Sequence, residues 1–382
     1  MTRVVVLGAG YAGAAIVAAL RDHRHTPDLT WVSRDPDHFV LHEGHRVVAD
    51  PTAAEDLTIP VARIAGPSVR FVQGEVTGID TDDRVVRLAD GAAVPYGLLV
   101  VALGSETEFY GLPGVAPHAL TLKTRRDALA IHRAVVEAGR AATVPAPATV
   151  VIGGAGFSGV QVAGELARLR DRDDLPVRIR LVEAADRILP EEAPALARAA
   201  TDRLHDRGID LLTGHPVSQA TSSAVERVEA EAVPYDVFLW TGGIAGRPIL
   251  ADGGFATERG RVRTDVFLRT SDETVFAVGD AAAVDADGQS VPPTAQAAWQ
   301  AGEAVATNVI RTIDGRVLEP FRYRDRGTLL SVGETALAHD VPGFAGRTFD
   351  GAPAAVLKKL VAARWIATLT DWPRGLRAWS VL

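Results

Sequence analysis

An α/β fold holding two nucleotide-binding units and a small C-terminal region is predicted by three observations. The segments Gly8-Ala9-Gly10-Tyr11-Ala12-Gly13 and Gly154-Ala155-Gly156-Phe157-Ser158-Gly159 share the spacing GxGxxG. Each follows an apolar strand and opens an Ala-rich helix. Each helix is followed by a second apolar strand, which completes a βαβ pattern. A lone GxGxxG is a common chance match, but in this context each glycine has a job. The first permits a tight turn, the second lets a pyrophosphate approach the backbone, and the third lets helix and strand pack closely. Two Rossmann-like dinucleotide-binding domains follow.

In chain order, the first unit reads as a strand over residues 3–7, a helix over about 10–23 and a strand over 29–33. Short β-rich segments at 69–76, 84–88 and 97–102 are expected to complete its sheet. The stretch Thr143-Val144-Pro145-Ala146-Pro147 reads as a hinge between domains. The second unit reads as a strand over 149–152, a helix over about 157–171 and a strand over 178–182. Strands at 233–241 and 275–278 and a helix over about 295–311 come next. The last 60 or so residues mix short strands with one helix over 354–369. The expected division is a discontinuous first domain at 1–115 and 255–325, a second at 116–254, and a C-terminal region at 326–382.

Composition narrows the chemistry. The chain of 382 residues, 47% hydrophobic, is long enough for two domains with buried cores. A net charge of −8 argues against general nucleic-acid binding, which needs a basic surface to displace counterions. Zero cysteines exclude thiol redox chemistry, thiolate metal sites and cysteine nucleophiles. No apolar run reaches the ~18 residues that span a bilayer. The start, Met1-Thr2-Arg3 followed by Val4-Val5-Val6-Leu7-Gly8, is too short for a secretory segment. A cytoplasmic protein with at most peripheral membrane contact is expected. Histidines pair in sequence at His23 and His25 and at His42 and His45, but without a convincing carboxylate cluster, and no metal site is expected.

An acid ending the second strand of such a unit accepts hydrogen bonds from ribose hydroxyls. In the second unit this residue is Glu183, which repels a 2′-phosphate and so favours NADH over NADPH. In the first unit the strand ends Ser33-Arg34-Asp35, with Ser33 in the acid's place. The run Thr274-Val275-Phe276-Ala277-Val278-Gly279-Asp280 is an apolar strand ending in Gly-Asp. Such an Asp either caps a turn or accepts hydrogen bonds from a ribityl chain. The strand Leu99-Val100-Val101-Ala102-Leu103-Gly104-Ser105 is less specific.

In this order the pieces resemble the two-dinucleotide-binding flavoproteins of glutathione-reductase-like fold, and more narrowly the type II NADH dehydrogenases that reduce quinones. The narrower resemblance rests on Leu41-His42-Glu43, on Trp240-Thr241-Gly242-Gly243 and on Pro292-Pro293-Thr294-Ala295-Gln296-Ala297-Ala298-Trp299-Gln300, which is similar to that family's AQxxxQ signature. It implies FAD and NADH as cofactors and a membrane quinone as acceptor. Ser33, Arg34, His42, Val76, Ala102, Gly104, Gly279, Asp280, Ala295, Gln296, Ala297 and Lys358 then become candidate flavin contacts. Glu183 and Gly243 fall to the NADH side, while Gln296 and Gln300 would face the quinone. The family carries Glu two residues after the last glycine of the second motif, whereas this chain has Gln161, which can hydrogen-bond but cannot shuttle a proton. Residues 354–382 combine Lys358, Lys359, Arg364, Arg374 and Arg377 with Trp365, Trp372 and Trp379. That mixture suits an anionic membrane surface, or a helix docked on its own protein. A homodimer is compatible with the sequence. So are two other readings: a reductase of a soluble electron carrier, and an NADH-responsive sensor with little turnover.

Overall fold

Both glycine turns sit at the carboxyl edge of a parallel sheet. The structure is a computed structural model that describes residues 2–21, 23, 27–286 and 289–382. The first sheet runs Val275–Ala277, Leu98–Val101, Arg3–Leu7, Asp28–Ser33, Arg70–Gln73, all parallel. Its central strand, with Val5 opposite Thr30 on one side and Leu99 on the other, is fully buried from Val4 to Leu7. Burial on both faces explains why it reads as an unbroken apolar run. The second sheet repeats the plan with Asp210–Leu212, Val177–Val182, Ala148–Gly153 and Val237–Trp240, and Leu120 bridges in parallel to Leu239 at its edge.

Two expectations need correction. The segment at 84–88 does not join the first sheet. Strands Val76–Asp80, Val85–Leu88 and Ala93–Pro95 form an antiparallel sheet of their own. Short connections between these strands favour hairpins, and a strand cannot enter a parallel sheet without a long crossover. The stretch at 143–147 is not an interdomain hinge. Thr143 and Ala146 close a tight turn between helix Arg125–Ala141 and strand Ala148–Gly153, and that helix already packs on the second sheet. Its start is fixed by a capping box, in which the Asp127 N–H donates to Thr124 Oγ1 at 3.1 Å and Asp127 Oδ2 accepts from the Thr124 N–H at 2.9 Å.

The C-terminal region is a three-stranded antiparallel sheet, Thr328–Val332, Thr335–His339 and Thr348–Asp350, followed by helix Ala352–Leu369. Small residues let elements of the chain lie close together. Helix Ala295–Ile313 crosses helix Tyr11–Arg21 at Gly302, where an added Cβ would fall 2.8 Å from the Ala12 carbonyl oxygen. Helix Phe157–Arg172 meets the C-terminal hairpin at Gly164, where a Cβ would fall 2.5 Å from the Gly333 nitrogen. Because backbone opposes backbone there, no side chain can swing aside. Gly164→Ala is expected to destabilise the protein by about 1–3 kcal/mol, the usual cost of overpacking, despite alanine's better helix propensity. Denaturant unfolding reads this directly, and a variant as stable as the parent would refute the close contact.

Candidate functional site

The two glycine turns have the same geometry. Gly8 has φ 98°, and a Cβ on it would lie 2.2 Å from the Ala102 carbonyl oxygen; Gly154 has φ 97° and faces the Thr241–Gly242 backbone at 2.8 Å. Gly13 and Gly159 press on the carbonyls of Gly8 and Gly154, where a Cβ would stand 2.0 Å away. Gly10 and Gly156, the middle glycines, face open space with nothing within 4 Å of a built Cβ. Each middle glycine is thus a cradle that a side chain would fill, at a helix N-terminus whose N–H groups suit a pyrophosphate. The turns are braced alike. The Gly8 N–H donates to the Val32 carbonyl and the Gly154 N–H to the Val182 carbonyl, both at 2.8 Å. Trp31 Nε1 donates to the Gly8 carbonyl at 2.9 Å, and Thr241 Oγ1 to the Gly154 carbonyl at 2.8 Å.

Around the second turn, Glu183 accepts from the Ala155 N–H at 2.7 Å and the Ala185 N–H at 3.0 Å, which aims its carboxylate at the turn. Around the first, Ser33 is buried at its strand end, whereas Arg34 is exposed beside Asp35 and Val76 begins the separate antiparallel sheet. Ala102 and Gly104 follow strand Leu98–Val101 on the same carboxyl edge. Gly279 lies between Ala12 and Ala298, so the first turn, Asp280 and the start of helix Ala295–Ile313 converge. Asp280 Oδ2 accepts from Ser105 Oγ at 2.9 Å, and Ser105 Oγ accepts from Lys123 Nζ at 3.1 Å. Burial lowers the Lys123 pKa, and Asp280 opposes that.

Next to the first turn lies a buried polar cluster, most of which the sequence did not announce. His38 Nδ1 donates to the Ala9 carbonyl at 2.8 Å, while Trp365 Nε1 donates to His38 Nε2 at 2.9 Å. Tyr11, itself pushed up by burial, stacks near Trp365 at 5.0 Å and bonds His42 Nδ1 through its hydroxyl. The other His42 nitrogen, Nε2, is buried without a hydrogen-bond partner, and burial pulls His42 down to about 4. Glu43 is 1% exposed and ion-pairs with Lys358. Burial pushes its carboxyl up, but Lys358 first, then His45, His42 and Arg46, outweigh this and hold it well below the usual range. Arg46 continues the network to Glu165 at 2.7 Å and to the Gly333 carbonyl at 2.9 Å. Gln161 Oε1 accepts from Ser331 Oγ at 3.2 Å, and Ser331 Oγ pairs with His45 Nε2 at 2.8 Å.

Gln296 and Gln300 are held by the chain itself. Gln296 donates to Tyr323 Oη at 3.1 Å and accepts from the Arg326 N–H; Gln300 donates to the Arg324 carbonyl at 2.9 Å and accepts from its N–H. Both amides therefore order the 323–326 loop. Ala295 opens the helix, Ala297 is capped by Thr294 Oγ1, and Trp299 stacks on Trp365 at 4.6 Å. Gly243 lies against Tyr110, whose hydroxyl donates to the Gly242 carbonyl at 3.0 Å. Among the described residues no His, Cys, Asp or Glu group is arranged for a metal; His25 lies outside them. Tyr11, Trp31, His38 and Ser331 carried no signal as site residues, while His45, read as half of a histidine pair, and Trp365, read as part of a tail suited to a membrane surface or to docking on the protein, sit in this cluster instead, because their partners lie 23 to 327 positions away. Only burial of polar types beside a known motif could have marked them.

The model for the pyridine nucleotide-disulphide oxidoreductase family matches residues 2–302. The chain is 32% identical over 384 aligned positions to a type II NADH:quinone oxidoreductase of Staphylococcus aureus (strain NCTC 8325 / PS 47), covering 95% of this chain and 94% of that one. Its fold is similar to that of NDH2 from Plasmodium falciparum, solved in complex with NADH, at TM-score 0.86 and 16% identity, covering 100% and 97% of the two chains. A sulfide:quinone oxidoreductase of Aquifex aeolicus also shares it, at TM-score 0.81 and 20% identity, covering 97% and 92%.

Burial, with His42 nearby, pulls the His38 pKa down to about 4 against the Ala9 carbonyl that it donates to, and protonation would also turn its Nε2 into a donor facing the Trp365 N–H. The unfolded chain takes up this proton near 6.5, so from pH 6.5 down to 4 it binds more protons than the folded one. Stability must fall over that window, by on the order of 3 kcal/mol for this residue. Urea unfolding across pH 4.5–7 should show the slope, and His38→Gln should remove about one proton's share of it. An unchanged slope in the variant would refute the assignment.

Proposed function

We propose, from the premise that this chain belongs to the pyridine nucleotide-disulphide oxidoreductase family and, within it, to the type II NADH:quinone oxidoreductases, that it oxidises NADH with bound FAD and passes the electrons to a membrane quinone. The observation that carries this reading is the pair of equivalent glycine turns, each with an open middle glycine at a helix N-terminus. Bound FAD supplies hydride acceptance and stepwise release of two electrons, which no side chain can do.

The chain's own residues bind and orient. On the flavin side, Gly10 admits the pyrophosphate, Asp280 presents a carboxylate to ribityl hydroxyls, and the Glu43–Lys358 pair brings fixed charge beside the turn. On the NADH side, Gly156 admits the second pyrophosphate and Glu183 offers carboxylate oxygens to ribose while repelling a 2′-phosphate. Gln161 does not titrate, so proton delivery to the reduced acceptor falls to another group. With zero cysteines, dithiol chemistry of the kind the family's name describes has no residue to run on. Gln296 and Gln300 support the acceptor side by holding the Tyr323 loop in place.

Helix Ala352–Leu369 supports a peripheral membrane contact at the inner face of the cell membrane. One side, with Lys358, Trp365 and Ile366, is buried in the protein; the other exposes Val356, Leu360 and Val361 beside Arg364, and Trp372 and Leu376 continue the apolar surface. No helix among the described residues is long and apolar enough to cross a membrane. An apolar stripe with basic neighbours suits an anionic headgroup layer.

Two measurements test this. Purified yellow protein should turn over a soluble quinone analogue with NADH, and kcat/KM should favour NADH over NADPH at least about tenfold, since one unfavourable phosphate contact costs about 1.4 kcal/mol. A flavin that NADH reduces but that quinone reoxidises only slowly would instead support a sensor. Because truncation would strip Trp365 from the core, the membrane contact is tested in the full chain with Leu360→Glu and Trp372→Glu together. These exposed changes should release the protein from anionic vesicles while leaving its melting temperature nearly constant. Parent protein that never binds such vesicles rules the contact out.

A further inference from the structure

Where helix Ala352–Leu369 gives way to helix Trp372–Arg377, a cavity of about 290 Å³ opens beside the joint. Leu369 and Thr370 form one wall, Arg21 at the end of helix Tyr11–Arg21 a second, and Arg63 and Ser68, on either side of the end of helix Val61–Ala65, a third. Gly66 stops that short helix at φ 64°, and a Cβ built on it would meet nothing within 4 Å, so this wall faces open space.

The chain has a net charge of −8, yet the segments around this cavity are basic. Residues 57–74 contain Arg63 and Arg70 and no acid, and residues 354–382 contain five Lys and Arg residues against Asp371 alone. Asp371 is engaged within the protein. It caps helix Trp372–Arg377 by accepting from the Arg374 N–H at 2.8 Å, and its carboxylate pairs with Arg63. The two side chains of that pair are 44% and 41% exposed, so water screens the pair and an entering anion competes for Arg63 at little cost. Arg21 is held against the wall by donating from Nη1 to the Ile64 carbonyl. Two guanidinium groups on one small cavity suit a phosphate, whose oxygens match their forked donors.

Trp372 and Leu376, 57% and 60% exposed, follow the Leu369–Thr370 wall directly in the chain. With Trp372 at headgroup depth, that wall stands in the phosphate layer of a bilayer. We propose that the cavity binds the phosphate of an anionic phospholipid, so that the protein recognises a headgroup as well as a charged surface. This rests on the membrane contact proposed above. The exposed apolar residues insert, and Arg21 and Arg63 hold the phosphate.

The test is sedimentation of the full-length holoprotein with phosphatidylcholine vesicles containing phosphatidylglycerol, with and without excess glycerol 3-phosphate at constant ionic strength. The soluble phosphate should raise the half-saturating lipid concentration of the parent about fivefold, the equivalent of one basic contact at the surface. Ser68→Glu places a carboxylate on the exposed rim of the cavity without altering either arginine. It should weaken vesicle binding at least about fivefold and abolish the response to glycerol 3-phosphate. Arg364→Gln, outside the cavity lining, should weaken vesicle binding but keep that response. A parent insensitive to glycerol 3-phosphate, or a Ser68→Glu variant as sensitive as the parent, would overturn the proposal and leave a contact made by surface charge. Glycerol 3-phosphate that binds the parent, measured by calorimetry, without displacing it from vesicles would show a site for free phosphate and overturn the lipid assignment. Parent protein that never binds the phosphatidylglycerol vesicles would overturn both this proposal and the membrane contact.

Discussion

The buried carboxylate of Glu43 is the constraint on which the meeting of the three parts depends. Taking an anion out of water costs several kcal/mol unless cations and donors replace the lost hydration. Here the replacements come from separate parts of the chain. Lys358 comes from the C-terminal helix, and Arg46, from the first glycine-turn unit, binds Glu165 of the second unit and the carbonyl of Gly333 in the C-terminal hairpin. The ion pair thus has meaning only when all three are assembled. A displaced C-terminal helix would leave the carboxylate uncompensated, which makes the assembled arrangement specific as well as stable.

The same cluster abuts the first glycine turn. His38 links that turn to Trp365 by spending both ring nitrogens, and Tyr11, in the helix that the turn opens, packs against both rings. A turn whose middle glycine must stay open cannot be stiffened by its own side chains. It is stiffened from behind, by Trp31 on the Gly8 carbonyl and His38 on the Ala9 carbonyl. The second turn solves the same problem with Thr241 and Glu183. Preorganised backbone donors of this kind bind a pyrophosphate without first losing conformational entropy.

Helix Ala352–Leu369 is apolar on both sides for different reasons. Its inner side, with Trp365 and Ile366, belongs to the core, and its outer side carries exposed Val356, Leu360 and Val361. The two alternatives that the Trp-rich and basic tail suggests, docking on the protein and facing a membrane, therefore refer to opposite faces of one element. Arg364, lying over Trp299 at 5.6 Å, stands where the faces meet.

What the sequence determined by itself was local. A GxGxxG after an apolar strand dictates its own turn, because only glycine tolerates φ near 98° at Gly8 and a carbonyl 2.0 Å from a Cβ at Gly13. Strand and helix periods around both turns were legible for the same reason, as was the absence of thiol chemistry. Tertiary structure decided the rest. Whether strand Val85–Leu88 joins the parallel sheet depends on its antiparallel neighbours, and whether the turn at 143–147 is a hinge depends on where helix Arg125–Ala141 packs. Lys358 with Glu43, Trp365 with His38 and Ser331 with Gln161 are separated by 315, 327 and 170 positions. Side-chain periodicity carries information over a few turns of helix or a few residues of strand. Contacts at such separations arise only when packing brings distant segments together, so the fold had to be seen before they could be named.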